Sequence, residues 1–157
     1  MKKTLATLCL FALPVETVWA QERMLLTYST LGTPDIVDFA PEGLSVGDMY
    51  TRRGIKLSAP DGLIVGDYFS QATIVHIAAK TNTSVRSYFI ELITEDGSIF
   101  MMDLIEVNHA QPSLTLTGHE GAVIGGTGAY SGIRGSYSMD IVDGTASKTI
   151  FYNLPGD

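Results

Sequence analysis

The chain has 157 residues, 45% hydrophobic and 17% charged, which fits one globular domain and excludes a disordered segment. Ten basic against 17 acidic residues give a formal charge of -7, which excludes a general nucleic-acid binder and a partner membrane with an anionic surface. Sixteen glycines and six prolines punctuate the sequence in the manner of an all-β fold.

Residues 1–20 (MKKTLATLCLFALPVETVWA) have the three parts of a secretory signal peptide in order: Lys2 and Lys3, an apolar run from Leu5 to Pro14, and the Val18-Trp19-Ala20 ending. Pro14 and Glu16 cut the run too short for a membrane span. Cleavage after Ala20 removes the single cysteine, Cys9, and the single tryptophan, Trp19. The mature domain, residues 21–157, is then expected to hold no disulfide, no thiolate metal ligand and no cysteine nucleophile. It keeps 8 basic and 16 acidic residues, a formal charge of -8. The expected location is the periplasm or the cell exterior, with no membrane insertion after cleavage.

From residue 21 onward no stretch keeps a helical period over three turns. Short apolar runs rich in Val, Ile, Thr, Tyr and Phe recur between Gly, Pro, Asp and Asn. Strands are expected near 23–29, 48–58, 63–79, 84–95, 98–107, 113–118, 133–142 and 146–153, the set of a small closed antiparallel barrel. Residues 30–46 form the longest irregular stretch, a candidate lid over one barrel mouth.

Asp96-Gly97 between two alternating runs predicts a type I′ hairpin turn, because glycine takes positive φ without a steric penalty. That turn sets Glu95 against Ser98 and Glu91 against Met102. One face then carries Phe89, Glu91, Ile93, Phe100, Met102 and Leu104; the other carries Tyr88, Ile90, Leu92, Met101, Asp103 and Ile105. Both faces are mostly apolar, which points to a filled or ligand-holding interior and an outer surface buried against another subunit.

Glu91 has two readings. Facing inward among apolar neighbours it would have a raised pKa suited to general acid–base work; facing outward it is a solvated sheet residue. Asp103 carries the same ambiguity on the opposite face, which it shares with Arg86. His76, His109 and His119 are dispersed, with no HxH or HExxH spacing, so no metal site is expected. The glycine-rich stretch from Gly125 to Gly132 lacks the spacing of a dinucleotide loop and the Lys-Ser/Thr of a phosphate loop. It reads as a tight barrel corner, and no cofactor is expected.

The segment GAVIGGTGAYSGIRG, Gly121 to Gly135, resembles the signature of the allene oxide cyclase and dirigent superfamily. Upstream, Val46-Gly47-Asp48-Met49, Leu57, Asp61-Gly62 and Ile64-Val65-Gly66 are similar to the cyclase segment that opens with Gly-Asp. The resemblance implies an eight-stranded antiparallel β-barrel of calycin type with an apolar cavity, assembled as a dimer or trimer. The plant cyclases' first-strand glutamate has no counterpart in Met24 to Thr30, nor has the dirigent aspartate. The cyclases' asparagine is missing between Met49 and Leu57, and their cysteine is missing from the mature chain. Arg134 matches the arginine of the signature, whereas Ala129 replaces the acidic residue that some dirigent proteins carry.

The function expected is that of an isomerase or cyclase acting on a small hydrophobic substrate, with Asp48, Tyr50, Glu91 and Arg134 as candidate catalytic groups. Such a barrel accelerates a reaction mainly by folding its substrate and excluding water. The alternatives are a non-catalytic carrier of a small apolar ligand and a structural secreted barrel. Convergent ionisable groups in the cavity would favour the enzyme, a dry apolar cavity the carrier, and no cavity the structural barrel.

Overall fold

The computed structural model describes residues 21–29, 33–39, 41–110 and 118–155, so the signal peptide expected over residues 1–20 lies outside the described residues. Nine strands follow in chain order: β1 (Glu22–Ser29), β2 (Asp35–Val37), β3 (Met49–Ser58), β4 (Ile64–Ala78), β5 (Thr83–Thr94), β6 (Gly97–Asn108), β7 (His119–Gly126), β8 (Arg134–Val142) and β9 (Thr145–Asn153). They hydrogen-bond in the order β1-β9-β8-β7-β6-β5-β4-β3-β2, every described pairing antiparallel. β1 also meets β3 at Thr27 and Ser58, which closes eight strands into a barrel and leaves β2 as an extra strand on the start of β3.

Alternation builds the wall. The inward rows include Leu26 and Tyr28, Tyr68 to Ile74, Ile90 and Leu92, Ile99 to Val107, and Ala146 to Tyr152. Leu57, Leu92, Ile99, Ile133 and Ile150, each fully buried, plug the end that carries the β5–β6 turn. The opposite half of the bore holds the polar side chains.

Seven of the expected strands match observed ones to within a residue or so. The eighth, 113–118, falls on residues 111–117, which lie outside the described residues, and on Gly118, which is in a turn. Strands β2 and β7 were not expected. The inward row of β7 carries Gly121, too small to show an apolar alternation, and a register shift between Val123 and Gly125 breaks the alternation again, leaving Gly125 beside Phe100 on the outer face. A Cβ on Gly121 would strike the Tyr137 ring directly across the ladder, so the glycine makes room for that ring. The stretch 30–46 contains β2, and its described residues contribute nothing to the lining of the interior cavity described below.

The hairpin turn needs correction. Its two loop residues are Glu95 and Asp96, with Thr94 paired to Gly97, so Glu91 stands opposite Phe100 rather than Met102. Type I′ geometry would need positive φ at both loop residues, and among the described residues only Asn82 and Asp143 are non-glycines of positive φ. Gly97 is required for another reason: a Cβ there would collide with the Thr127 carbonyl. The register moves by two residues, and the side-chain period is two, so each residue keeps its face. The Asp-Gly rule does hold at Asp143-Gly144, with φ of 49° and 75° between the paired Val142 and Thr145.

The glycine-rich corner locks onto this hairpin. Thr127 N–H donates to the Ser98 carbonyl at 2.8 Å, Ser98 N–H donates to Thr127 Oγ1 at 3.0 Å, and Ala129 N–H donates to the Asp96 carbonyl at 2.9 Å. Gly128 has a φ of +59° and lies against the Asp96 carbonyl; a Cβ on Gly126 would clash with the Tyr130 and Ser98 carbonyls. Both glycines serve the backbone, as expected.

Candidate active site in the barrel interior

The hairpin face with Tyr88, Ile90, Met101 and Asp103 points into the barrel, and the face with Glu91 points out. Ile90 and Met101 are fully buried, whereas Ile93, Met102 and Leu104 are exposed by 41%, 43% and 66%. Asp103 therefore reaches the interior, where it lines a cavity of about 80 Å³. Tyr28, Arg52, Tyr68, Ser70 and Tyr88 supply further polar groups from β1, β3, β4 and β5. Ile90, Ile105, Met139 and Ile141 supply the apolar wall, and Lys148 comes from the middle of β9. Pockets for drug-sized ligands run to roughly 300–1,000 Å³. This bore takes a small reacting group rather than a whole large molecule.

Asp103 organises the polar cluster. Its side chain is only 3% exposed, Oδ2 accepts a short hydrogen bond from the Tyr137 hydroxyl, and His119 Nε2 lies 3.1 Å from the same oxygen. Oδ1 has no hydrogen-bond partner among the described residues. Burial pushes the Asp103 carboxyl above its ordinary range, opposed by the charges of His119 and Lys148. Lys148 is fully buried; its Nζ sits 4.0 Å over the centre of the Tyr137 ring and has no hydrogen-bond partner among the described residues. Burial brings its ammonium down to about 7, with the Asp103 charge working the other way. A carboxyl moved up and an amine moved down have approached each other in proton affinity, which lowers the cost of moving a proton at neutral pH.

Aromatic hydroxyls frame this pair. The Tyr28 ring stacks on Tyr68 at 4.2 Å, and its hydroxyl donates to Met139 Sδ at 3.2 Å. Tyr28, Tyr68 and Tyr88 are all raised above the usual phenol range, chiefly by burial, so they remain neutral donors at physiological pH.

The four residues singled out from the sequence do not converge. Glu91 is half-buried on the outer face, between Phe69 on β4 and Phe100 on β6. Arg134 is exposed at the start of β8, its guanidinium donating to the Ile133 carbonyl at 2.7 Å. Asp48 is buried just before β3 and pins a loop: it accepts from Ser45 N–H and Ser45 Oγ at 2.7 Å each and from Phe39 N–H at 3.0 Å. The Ser45 backbone bond, then the Ser45 hydroxyl and the Phe39 bond, hold its carboxyl below the ordinary range against the effect of burial. Tyr50 faces inward toward the polar mouth, with the Arg86 guanidinium 4.3 Å over its ring. Among the histidines His119 alone joins the cluster; His76 is exposed on β4.

Residues 30–150 match the family described as "Allene oxide cyclase barrel like domain". The chain belongs to this family. A search of curated proteins by sequence gives no match. Among solved structures the barrel is similar to a pyocyanin demethylase at 22% identity and a TM-score of 0.65, covering 84% of this chain and all of that one. It is similar to the Diels–Alderase AbmU from Streptomyces koyangensis at 15% identity and a TM-score of 0.64, covering 86% of this chain and 64% of that one. A heme-binding cyclase that catalyses a [4 + 2] cycloaddition in neoabyssomicin biosynthesis is similar at 16% identity and a TM-score of 0.61, again over 64% of its length. At such identities the likeness carries the fold, and the chemistry has to be argued from this chain's own residues.

Proposed function

We propose that this chain is an exported barrel enzyme that isomerises or cyclises a small, mostly hydrophobic substrate by proton transfer in the barrel interior. One observation carries the reading: Asp103 and Lys148, both out of water, line one cavity together with Arg52 and the hydroxyls of Tyr28, Tyr68, Ser70 and Tyr88. A carrier of apolar ligands gains nothing from burying a carboxyl and an amine, since each costs desolvation. In the enzyme, Lys148 in its neutral form takes a proton from a carbon of the substrate. Asp103 in its protonated form gives one to another position, and Tyr28, Tyr68 and Tyr88 offer hydroxyl donors to oxygen that gains charge. The demethylase and Diels–Alderase neighbours are barrels of this shape named for chemistry on small organic molecules, which supports the substrate class.

The test is the ring opening of 5-nitrobenzisoxazole, a flat apolar molecule isomerised by removal of one carbon-bound proton. The purified mature protein is expected to accelerate it, with a rate that rises through pH 7 as Lys148 loses its proton and that Lys148→Met abolishes. A protein that binds the compound yet opens it no faster than buffer would sink the proposal. Self-association is part of the same reading: the outer face with Ile93, Met102 and Leu104 is apolar enough to be covered by a second copy.

A further inference from the structure

We propose that Lys148 is a nucleophile that forms an imine with a small aldehyde or ketone admitted to the barrel interior. This rests on the interior being a site for chemistry on a small substrate, and it names the class of that substrate.

Long basic side chains normally run along an apolar surface until the charge reaches water. Lys148 has no such outlet, lying between Ala146 and Ile150 on the inward row of β9, all three fully buried. A lysine buried for structure would be expected to be paired and hydrogen-bonded. Among the described residues the ion pairs are Arg53–Asp35, Lys56–Asp67 and His119–Asp103, so Lys148 has none. Its natural counter-ion, Asp103, instead gives Oδ2 to Tyr137 and His119. What remains is a buried amine with no hydrogen-bond partner among the described residues, lining a cavity whose wall also holds the Asp103 carboxyl. That is the requirement for carbonyl capture.

The step balances within these groups. The Nζ lone pair attacks the carbonyl carbon, a C–N bond forms, and the π electrons go to oxygen, which takes a proton from Nζ. Asp103 then gives its proton to the hydroxyl, which leaves as water. The nitrogen lone pair closes the C=N bond, leaving an iminium cation and an Asp103 carboxylate. The cation forms where Nζ already lies 4.0 Å over the Tyr137 ring, whose face attracts positive charge. An iminium withdraws electrons from the neighbouring carbon, so loss of a proton there becomes easier, which is the opening step of an isomerisation.

The experiment treats the purified mature protein at pH 7 with propanal and cyanoborohydride, then maps propylated lysines by peptide mass spectrometry. Lys56 and Lys80 are exposed and serve as internal references. Lys148 is expected to be alkylated at least about tenfold faster than either, because a larger share of it is neutral. The preference should vanish in urea, and Asp103→Asn should slow Lys148 about tenfold while leaving Lys56 unchanged. Lys148 reacting no faster than the references, or a preference that survives urea, would overturn the proposal. The probe 5-nitrobenzisoxazole has no carbonyl and forms no imine. Ring opening without trapping would therefore overturn the imine and leave the acid–base reading standing. Trapping without ring opening would support the imine and remove the acid–base isomerase.

Discussion

Replacing Lys148 by Met should change the pH dependence of stability in a calculable way. Unfolded, this lysine titrates near 10.5; folded, it titrates at about 7, because burial disfavours its charged form. Between those values the unfolded chain holds the proton and the folded chain does not, so stability rises with pH across that window. Below about pH 7 both states are protonated and the full cost of burying the charge is present. The whole shift corresponds to about 5 kcal/mol, and the part between pH 7 and 9 to about 3 kcal/mol. Lys148→Met keeps a long flexible side chain in the same slot and removes the titration. Urea unfolding at half-unit steps from pH 6 to 9 should show the wild type gaining about 3 kcal/mol on the variant, with the variant's advantage largest at pH 6. Repeating the pair in the Asp103→Asn background removes the titration of the carboxyl and keeps the direction of the effect. Parallel curves in both backgrounds would refute a lysine held neutral in the barrel, and the acid–base chemistry proposed for it.

Gly128→Val forces a branched side chain into positive φ against the Asp96 carbonyl and should cost about 1–3 kcal/mol in urea unfolding whatever ligand is present. Unchanged stability together with lost activity would instead make the corner part of the site. The mature protein recovered from the periplasm or medium should begin at Gln21 and run as a dimer or trimer in size exclusion with light scattering, and Leu104→Lys should shift it to monomer without disturbing the interior. Intact Met1 in the cytoplasm alone, or a wild-type monomer at micromolar concentration, would contradict these expectations.

The strands were legible because period-two alternation survives in seven segments, and the family signature was legible because its glycines answer to backbone contacts at Gly126 and Gly128. β7 was hidden because Gly121 takes an inward position that elsewhere carries bulk, and because the ladder shifts register between Val123 and Gly125. In the hairpin both faces are apolar, so nothing local says which one turns inward, and the balance between Glu91 and Asp103 could be settled only by the closure of the whole barrel. Lys148 left a trace: in TASKTIFYN it shares its row with Ala146, Ile150 and Tyr152. That trace was easy to miss, because a strand lysine usually marks the wet side. His119 and Tyr137 reach Asp103 from β7 and β8, far along the chain, and no sequence spacing encodes that meeting.

The first and last of the described strands share one long seam. β1 pairs with β9 at eight successive positions, from Glu22 with Tyr152 to Ser29 with Thr145, whereas its other edge touches β3 at Thr27 and Ser58. β1 thus has its main partner at the far end of the described residues. Contacts so distant in sequence form slowly, because the loop between them must close before they contribute. Until residues 145–153 arrive, β1 has no ladder to join, Lys148 has no barrel to enter, and the polar cluster does not exist. Loss of the C-terminal strand by truncation would leave two open sheet edges and expose the apolar lining, turning a closed container into a template for aggregation.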